Sequence, residues 1–164
     1  GTEPAAPAPT AAPAPTAAPA PTATPGALDL TLPPPATRCA SGEALLEAAQ
    51  TQVNSGATRL QDGQLAQAAN SYRAALTIDP CSAGGWAGLG AVALQSRDHT
   101  TAIQALKAAT GLQPKVPSAW ILLGRAYHGS GQNDAAIEAL DMALEAEPDH
   151  AEARSLRERL LAAE

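Results

Sequence analysis

The chain has 164 residues, 16 acidic and 10 basic side chains, a formal net charge of −6, two Trp, two Tyr and no Phe. Its ten cations are scattered, so the basic patch that engages a phosphate backbone is missing and no nucleic-acid partner is expected. No run of about 18 apolar residues occurs, so no segment is expected to insert into a membrane, and an apolar content carried by Ala and Leu favours an all-α fold over a sheet.

The chain divides by composition. Eleven of its 15 prolines fall within the first 35 residues, where "EPAAPAPTAAPAPTAAPAPTATP" repeats an Ala-Pro-Thr theme. Each proline removes a donor and holds the backbone near polyproline II, so this stretch cannot build a packed core. Residues 1–37 are expected to be a disordered or polyproline II linker, reaching on the order of 100 Å when extended, and 38–164 one small domain. The chain opens on Gly rather than Met and shows no leader, which reads as a processed or excised fragment. A signal peptide, lipid anchor, membrane helix or catalytic domain ahead of residue 1 would be out of view.

Beyond the linker, a helix is expected to begin near Ser41. From there the chain aligns with itself at an offset of 34 residues. Gly56, Gly90 and Gly124 fall on one line, as do Ala68, Ala102 and Ala136; Ala75, Ala109 and Ala143; and Pro80, Pro114 and Pro148. Tyr72, Leu106 and Leu140 share a register, Trp86 pairs with Trp120, and Leu89 pairs with Leu123. Small residues let two helices approach while the large one fills the remaining volume. Each unit therefore reads as a hairpin of two helices of about 13 residues, turning near Gly63, Asp98 or Gly131 and closed by its proline.

This pattern resembles the tetratricopeptide repeat, whose 34-residue unit carries W-x2-L-G-x2-Y, A-x3-F and a closing Pro. The third unit matches best, with "WILLGRAY", "AIEAL" and Pro148; the second reads "WAGLGAVA", "AIQAL" and Pro114. The first departs in its opening helix, with Gln52, Ser55 and Arg59 in place of Trp, Leu and Tyr. The resemblance implies a right-handed superhelical stack of three antiparallel helix pairs, at about 47–80, 81–114 and 115–148. A capping helix follows at about 151–162, with Leu156, Leu160 and Leu161 on one face and charges on the other.

Cys39 precedes the first helix and Cys81 follows the second. Because paired helices run antiparallel, both lie at one edge of the first hairpin, and a disulfide there would stabilise by roughly 4 kcal/mol in an oxidising compartment. Two free thiols are the alternative. Two Cys without a neighbouring His or Cys do not make a metal site. His99, His128 and His150 sit in different units with no nucleophile or metal motif around them, so neither catalysis nor a cofactor is expected. His99 and His150 read as solvated, and the acidic run from Asp134 to Asp149 reads as a solvated outer face.

In the family that this chain resembles, the first helix of each pair lines a concave surface. The resemblance places Val53, Ala57 and Leu60, then Ala87, Ala91 and Leu94, then Ile121, Arg125 and His128 along a shallow apolar groove with a cationic end. Such a groove suits an apolar or amphipathic peptide or helix. Family members that grip chaperone C-terminal carboxylates use Lys and Asn on these helices, where this chain has Val53, Ala57, Gly88, Ser118 and Leu122, so that function is disfavoured. The expectation is a monomeric, non-enzymatic scaffold or adaptor that binds a protein or peptide, held outside the cytoplasm in the bacterial periplasm and serving a cell-envelope assembly. The alternatives are a C-terminal docking or sensory domain of a larger membrane-bound enzyme such as a kinase, and a self-associating structural module.

Overall fold

The computed structural model describes residues 28, 30–34 and 38–162. Among these are seven helices: α1 (Glu43–Gln61), α2 (Leu65–Ile78), α3 (Ala83–Gln95), α4 (His99–Leu112), α5 (Pro117–Gly129), α6 (Asn133–Ala146) and α7 (Ala151–Leu161). Five of the first six run 13 or 14 residues, as the periodicity implies; α1 is longer, at 19. No helix among the described residues is long and apolar enough to cross a membrane.

Local chemistry sets the boundaries. Ser82 caps α3 by accepting the Gly85 N–H at 3.2 Å, and Pro117 occupies the first turn of α5, where its missing N–H leaves no bond unmade. Between the helices of each hairpin one residue takes a left-handed backbone: Gly63 (φ 74°), Arg97 (φ 62°) and Gly131 (φ 80°), again 34 apart. The middle turn therefore pivots on Arg97 rather than on Asp98. Asp98 is instead the N-cap of α4, accepting the Thr101 N–H at 3.0 Å and the Thr101 hydroxyl at 2.6 Å.

The hydroxyl of Thr101 and then its N–H hold the Asp98 carboxyl below the usual carboxylate range. A depressed folded-state pKa stabilises above the unfolded value of about 4, and the contribution fades as pH falls through the folded value. Asp98→Ala is thus expected to cost about 1 kcal/mol near neutral pH. Urea unfolding at pH 7 and at successively lower pH should show that difference shrinking as the folded-state carboxyl becomes protonated.

Packing repeats with the sequence. Helices α1 and α2, α3 and α4, and α5 and α6 form the hairpins, and the first helices also meet one another along the stack, α1 with α3 and α3 with α5. Each aligned glycine makes room for the aligned large residue of its partner helix. A methyl built on Gly56 would lie 2.8 Å from Tyr72 Cε1, on Gly90 2.5 Å from Leu106 Cγ, and on Gly124 3.0 Å from Leu140 Cγ. The Tyr72 ring also fills the space over Gly88 of α3, and its burial lifts the phenol above its ordinary pKa. The two tryptophans have equivalent roles: Trp86 Nε1–H donates to the Pro80 carbonyl at 2.9 Å and Trp120 Nε1–H to the Pro114 carbonyl at 2.8 Å.

Both ends of the stack follow the same register with polar substitutions. Arg154 stands 34 residues after Trp120 and donates to the Pro148 carbonyl at 2.8 Å. Arg157, in the register of Leu89 and Leu123, pairs with Asp141. Helix α7 thus stands in the register of a first helix, and among the described residues no second helix packs on it. At the other end, Arg59 donates to the Ser55 hydroxyl at 2.7 Å and to the Ser71 hydroxyl, forming a polar surface with Gln52, Gln67 and Asn70. The departures in the first unit therefore mark the end of the stack, where no earlier hairpin covers it.

The expected boundary at residue 38 does not coincide with the edge of the packed domain. Leu28, Leu30 and Leu32 pack against the buried cluster that includes Ala69, Tyr72, Trp86 and Ala105, and Arg73 Nε–H donates to the Thr31 carbonyl at 3.2 Å. The alternation L-D-L-T-L gives three leucines a common side in an extended chain, a period-two signal outweighed at the sequence level by the surrounding prolines. The rest of the expected linker, residues 1–27, 29 and 35–37, lies outside the described residues. Downstream, Cys39 and Cys81 form a disulfide, with their Cα atoms 5.0 Å apart. Asp79 is buried beside it and accepts the N–H groups of Ala40 and Cys81, each at 3.1 Å.

Candidate functional site

On the inner face, α1, α3 and α5 are joined by the start of α4 around a hollow of about 370 Å³. Leu60 comes from α1, Ala91, Leu94 and Gln95 from α3, His99 from α4, and Leu122 and Arg125 from α5. Val53, Leu60 and Ala87 are partly buried against the first core cluster, and Ala87 and Leu94 against the third. Leu60 and Leu94 also line the hollow, whereas Val53, Ala57 and Ala87 are not among its lining residues. Arg125 also borders a second hollow, of about 430 Å³ between α5 and α7, with His128, Glu152 and Arg159. The Arg125 guanidinium lies 3.8 Å from the Glu152 carboxylate, both well exposed, so the pair is weak and open to exchange for a ligand's carboxylate or carbonyl. His128 Nδ1 lies 3.0 Å from Asn133 Oδ1.

Leu60, Ala91, Leu94 and Arg125 of the expected groove line the first hollow, and Arg125 and His128 the second. Ile121 is a correction. It is only 4% exposed and belongs to the cluster of Leu140, Ala153, Leu156 and Leu160, because α7 packs over this side of the third unit. Sequence reasoning also missed Gln95, His99 and Leu122. His99 is not solvated: its ring occupies the space over Gly129, and its Nδ1 is buried without a hydrogen-bond partner. No local signal marks this, since the space arises from the missing side chain of a residue 30 positions later.

The floor is aliphatic, the polar groups stand at one end, and no cluster of three metal-binding side chains occurs among the described residues. Within the acidic run, Asp141 pairs with Arg157, and Asp149 with Arg154 at 3.2 Å.

Repeated hairpins, equivalent glycine and tryptophan contacts, and an inner hollow bounded by successive first helices define a helical-repeat solenoid. Two family models, both described as Tetratricopeptide repeat, match residues 53–117 and 93–160. The chain belongs to the tetratricopeptide repeat family. No curated protein matches it. Among solved structures, the Arabidopsis OM64 TPR domain is 22% identical with a TM-score of 0.69, over 73% of this chain and 99% of that one. The second TPR domain of human RPAP3, in complex with the HSP70 peptide SGPTIEEVD, is 18% identical with a TM-score of 0.67, over 71% and 98%. The Yersinia enterocolitica type III secretion translocator chaperone SycD is 17% identical with a TM-score of 0.67, over 74% and 98%. Likeness at these identities carries the fold.

Proposed function

We propose that this chain is a non-enzymatic interaction module that holds an apolar or amphipathic segment of a partner protein in its concave hollow. The observation that carries this reading is the aliphatic floor of Leu60, Ala91, Leu94 and Leu122, bordered by Gln95, His99 and the exposed Arg125. An apolar side chain buried there gains about 25 cal/mol per Å² removed from water, while the polar groups fix the direction of the ligand. The RPAP3 domain in complex with an HSP70 peptide is a relative in fold with a peptide ligand. In this chain α1, α3 and α5 contain no Lys, so an acidic tail is a poorer fit than an apolar segment.

The Cys39–Cys81 bond supports an oxidising compartment, and a Pro/Ala-rich arm ahead of the domain suits a module tethered in a bacterial cell envelope. The partner would belong to an assembly of that compartment. Ala57 and Ala91 are half-buried on the inner helices, and the pair Ala57→Glu with Ala91→Glu places two carboxylates over the apolar floor. Partner capture from an envelope extract should be lost, with helical circular dichroism unchanged. Capture by the double variant at the wild-type level would remove the concave hollow as the binding site.

A further inference from the structure

One sizeable hollow is not on the inner face. It measures about 730 Å³ and lies on the outer side, between α4 and α6, floored by Trp120, Leu123 and Tyr127 of α5. Its structural equivalent one unit earlier, between α2 and α4, is the groove against which residues 28 and 30–34 lie. Leu32 and Pro33 there border Pro80, Trp86, Gln104 and Ala108, and the Arg73 side chain donates to the Thr31 carbonyl. Advancing each wall residue by 34 gives Pro114, Trp120, Glu138 and Met142, all of which line the larger hollow, and Arg73 becomes Lys107, which lines it too.

The two grooves differ in cover. Trp86 is 6% exposed, with Leu28, Leu30 and Leu32 among the side chains packed against its cluster. Trp120 makes the same bond to its proline yet is only partly buried, and Met142 on the far wall is 37% exposed. The molecule thus displays, in one groove, the kind of segment that the next groove is shaped to hold.

We propose that the α4/α6 outer groove docks an extended segment of a partner protein, with leucines at alternate positions and a closing proline. Its leucines would cover Trp120 and Met142, and Lys107 would donate to one of its carbonyls as Arg73 does to Thr31. Met142 is unbranched and adapts its shape to what lies on it. Glu138 replaces Gln104 on the wall, and the added negative charge favours a segment that carries a basic residue over one that carries an acidic one. A second copy's own segment is disfavoured as the occupant, since the disulfide at Cys39 tethers residues 30–34 close to the groove they already border, at a high effective concentration. This site is separate from the concave hollow and stands or falls independently of it.

The test uses the oxidised chain, labelled with ¹⁵N, and two capped peptides: the chain's own residues 28–34, LDLTLPP, and the same peptide with Asp29→Lys. The indole N–H resonances of Trp86 and Trp120 report on the two grooves separately. The expected result is a saturable shift of Trp120 with Trp86 unmoved, tighter for the Lys peptide. Met142→Glu should weaken binding by at least about tenfold by burying an unpaired carboxylate against the leucines, and Ala57→Glu with Ala91→Glu should leave it unchanged. The proposal is overturned if neither peptide moves Trp120 at millimolar concentration or if Trp86 moves instead. It is equally overturned if the chain alone self-associates in a way that Leu30→Asp abolishes, which would make a second copy the occupant.

Discussion

Leu106→Ala is expected to destabilise the domain by about 3 to 4 kcal/mol, within the range for a fully buried leucine whose removal leaves a cavity. Leu106 has no exposed surface, lies over Gly90 in its own hairpin, and belongs to the cluster that joins the second and third units through Leu123, Ala126 and Ala139. Close packing around it leaves no neighbour free to fill the gap. A domain of this size should lose on the order of 10 °C in its thermal midpoint. Leu112→Ala, six residues on and 40% exposed, is the control and should cost well under 1 kcal/mol. Thermal unfolding of both variants measures the contrast; equal effects would mean that the second hairpin is not packed as described.

Reducing the Cys39–Cys81 bond, or replacing Cys81→Ser, is expected to cost about 4 kcal/mol from the 42-residue separation it closes, by the chain-entropy estimate. The loss has a local signature as well. The bond anchors the chain just downstream of the segment that packs on the Trp86 cluster, and Asp79 accepts N–H groups on both sides of it. Opening it frees residues 28–34 to leave the groove. The emission of Trp86 should therefore shift red at denaturant concentrations below the main unfolding transition, whereas a variant keeping Trp86 but lacking Trp120 should show the same shift. An unfolding midpoint indifferent to reductant would show that the bond does not constrain the chain.

The repeat was legible in the sequence because its cause is geometric. Glycine and a large residue recur at a fixed interval only when the same two helices meet in the same way, so Gly90 with Leu106 and Gly124 with Leu140 announced their contacts. The end units were harder to interpret: Arg59 and Arg154 look like failures of the pattern until their surroundings show that no further hairpin covers them. Two features were hidden for a different reason. Leu28, Leu30 and Leu32 form a short apolar alternation between prolines, and composition over a longer window masks a strand-like segment of that length. His99 and Ile121 owe their environments to residues about 30 positions away, Gly129 and the leucines of α7, and no local period reports such contacts. The inner groove was thus placed on the right helices, while its edge at Ile121 and the contribution of His99 from α4 required coordinates.

The claim that the inner face holds a partner is tested most directly by site-specific photo-crosslinking. A photoreactive side chain at Leu94, which lines the inner hollow, is compared with one at Glu145, exposed on α6 and outside every hollow described. The account predicts one discrete partner adduct from Leu94 and none from Glu145. Adducts from Glu145 with none from Leu94 would contradict it.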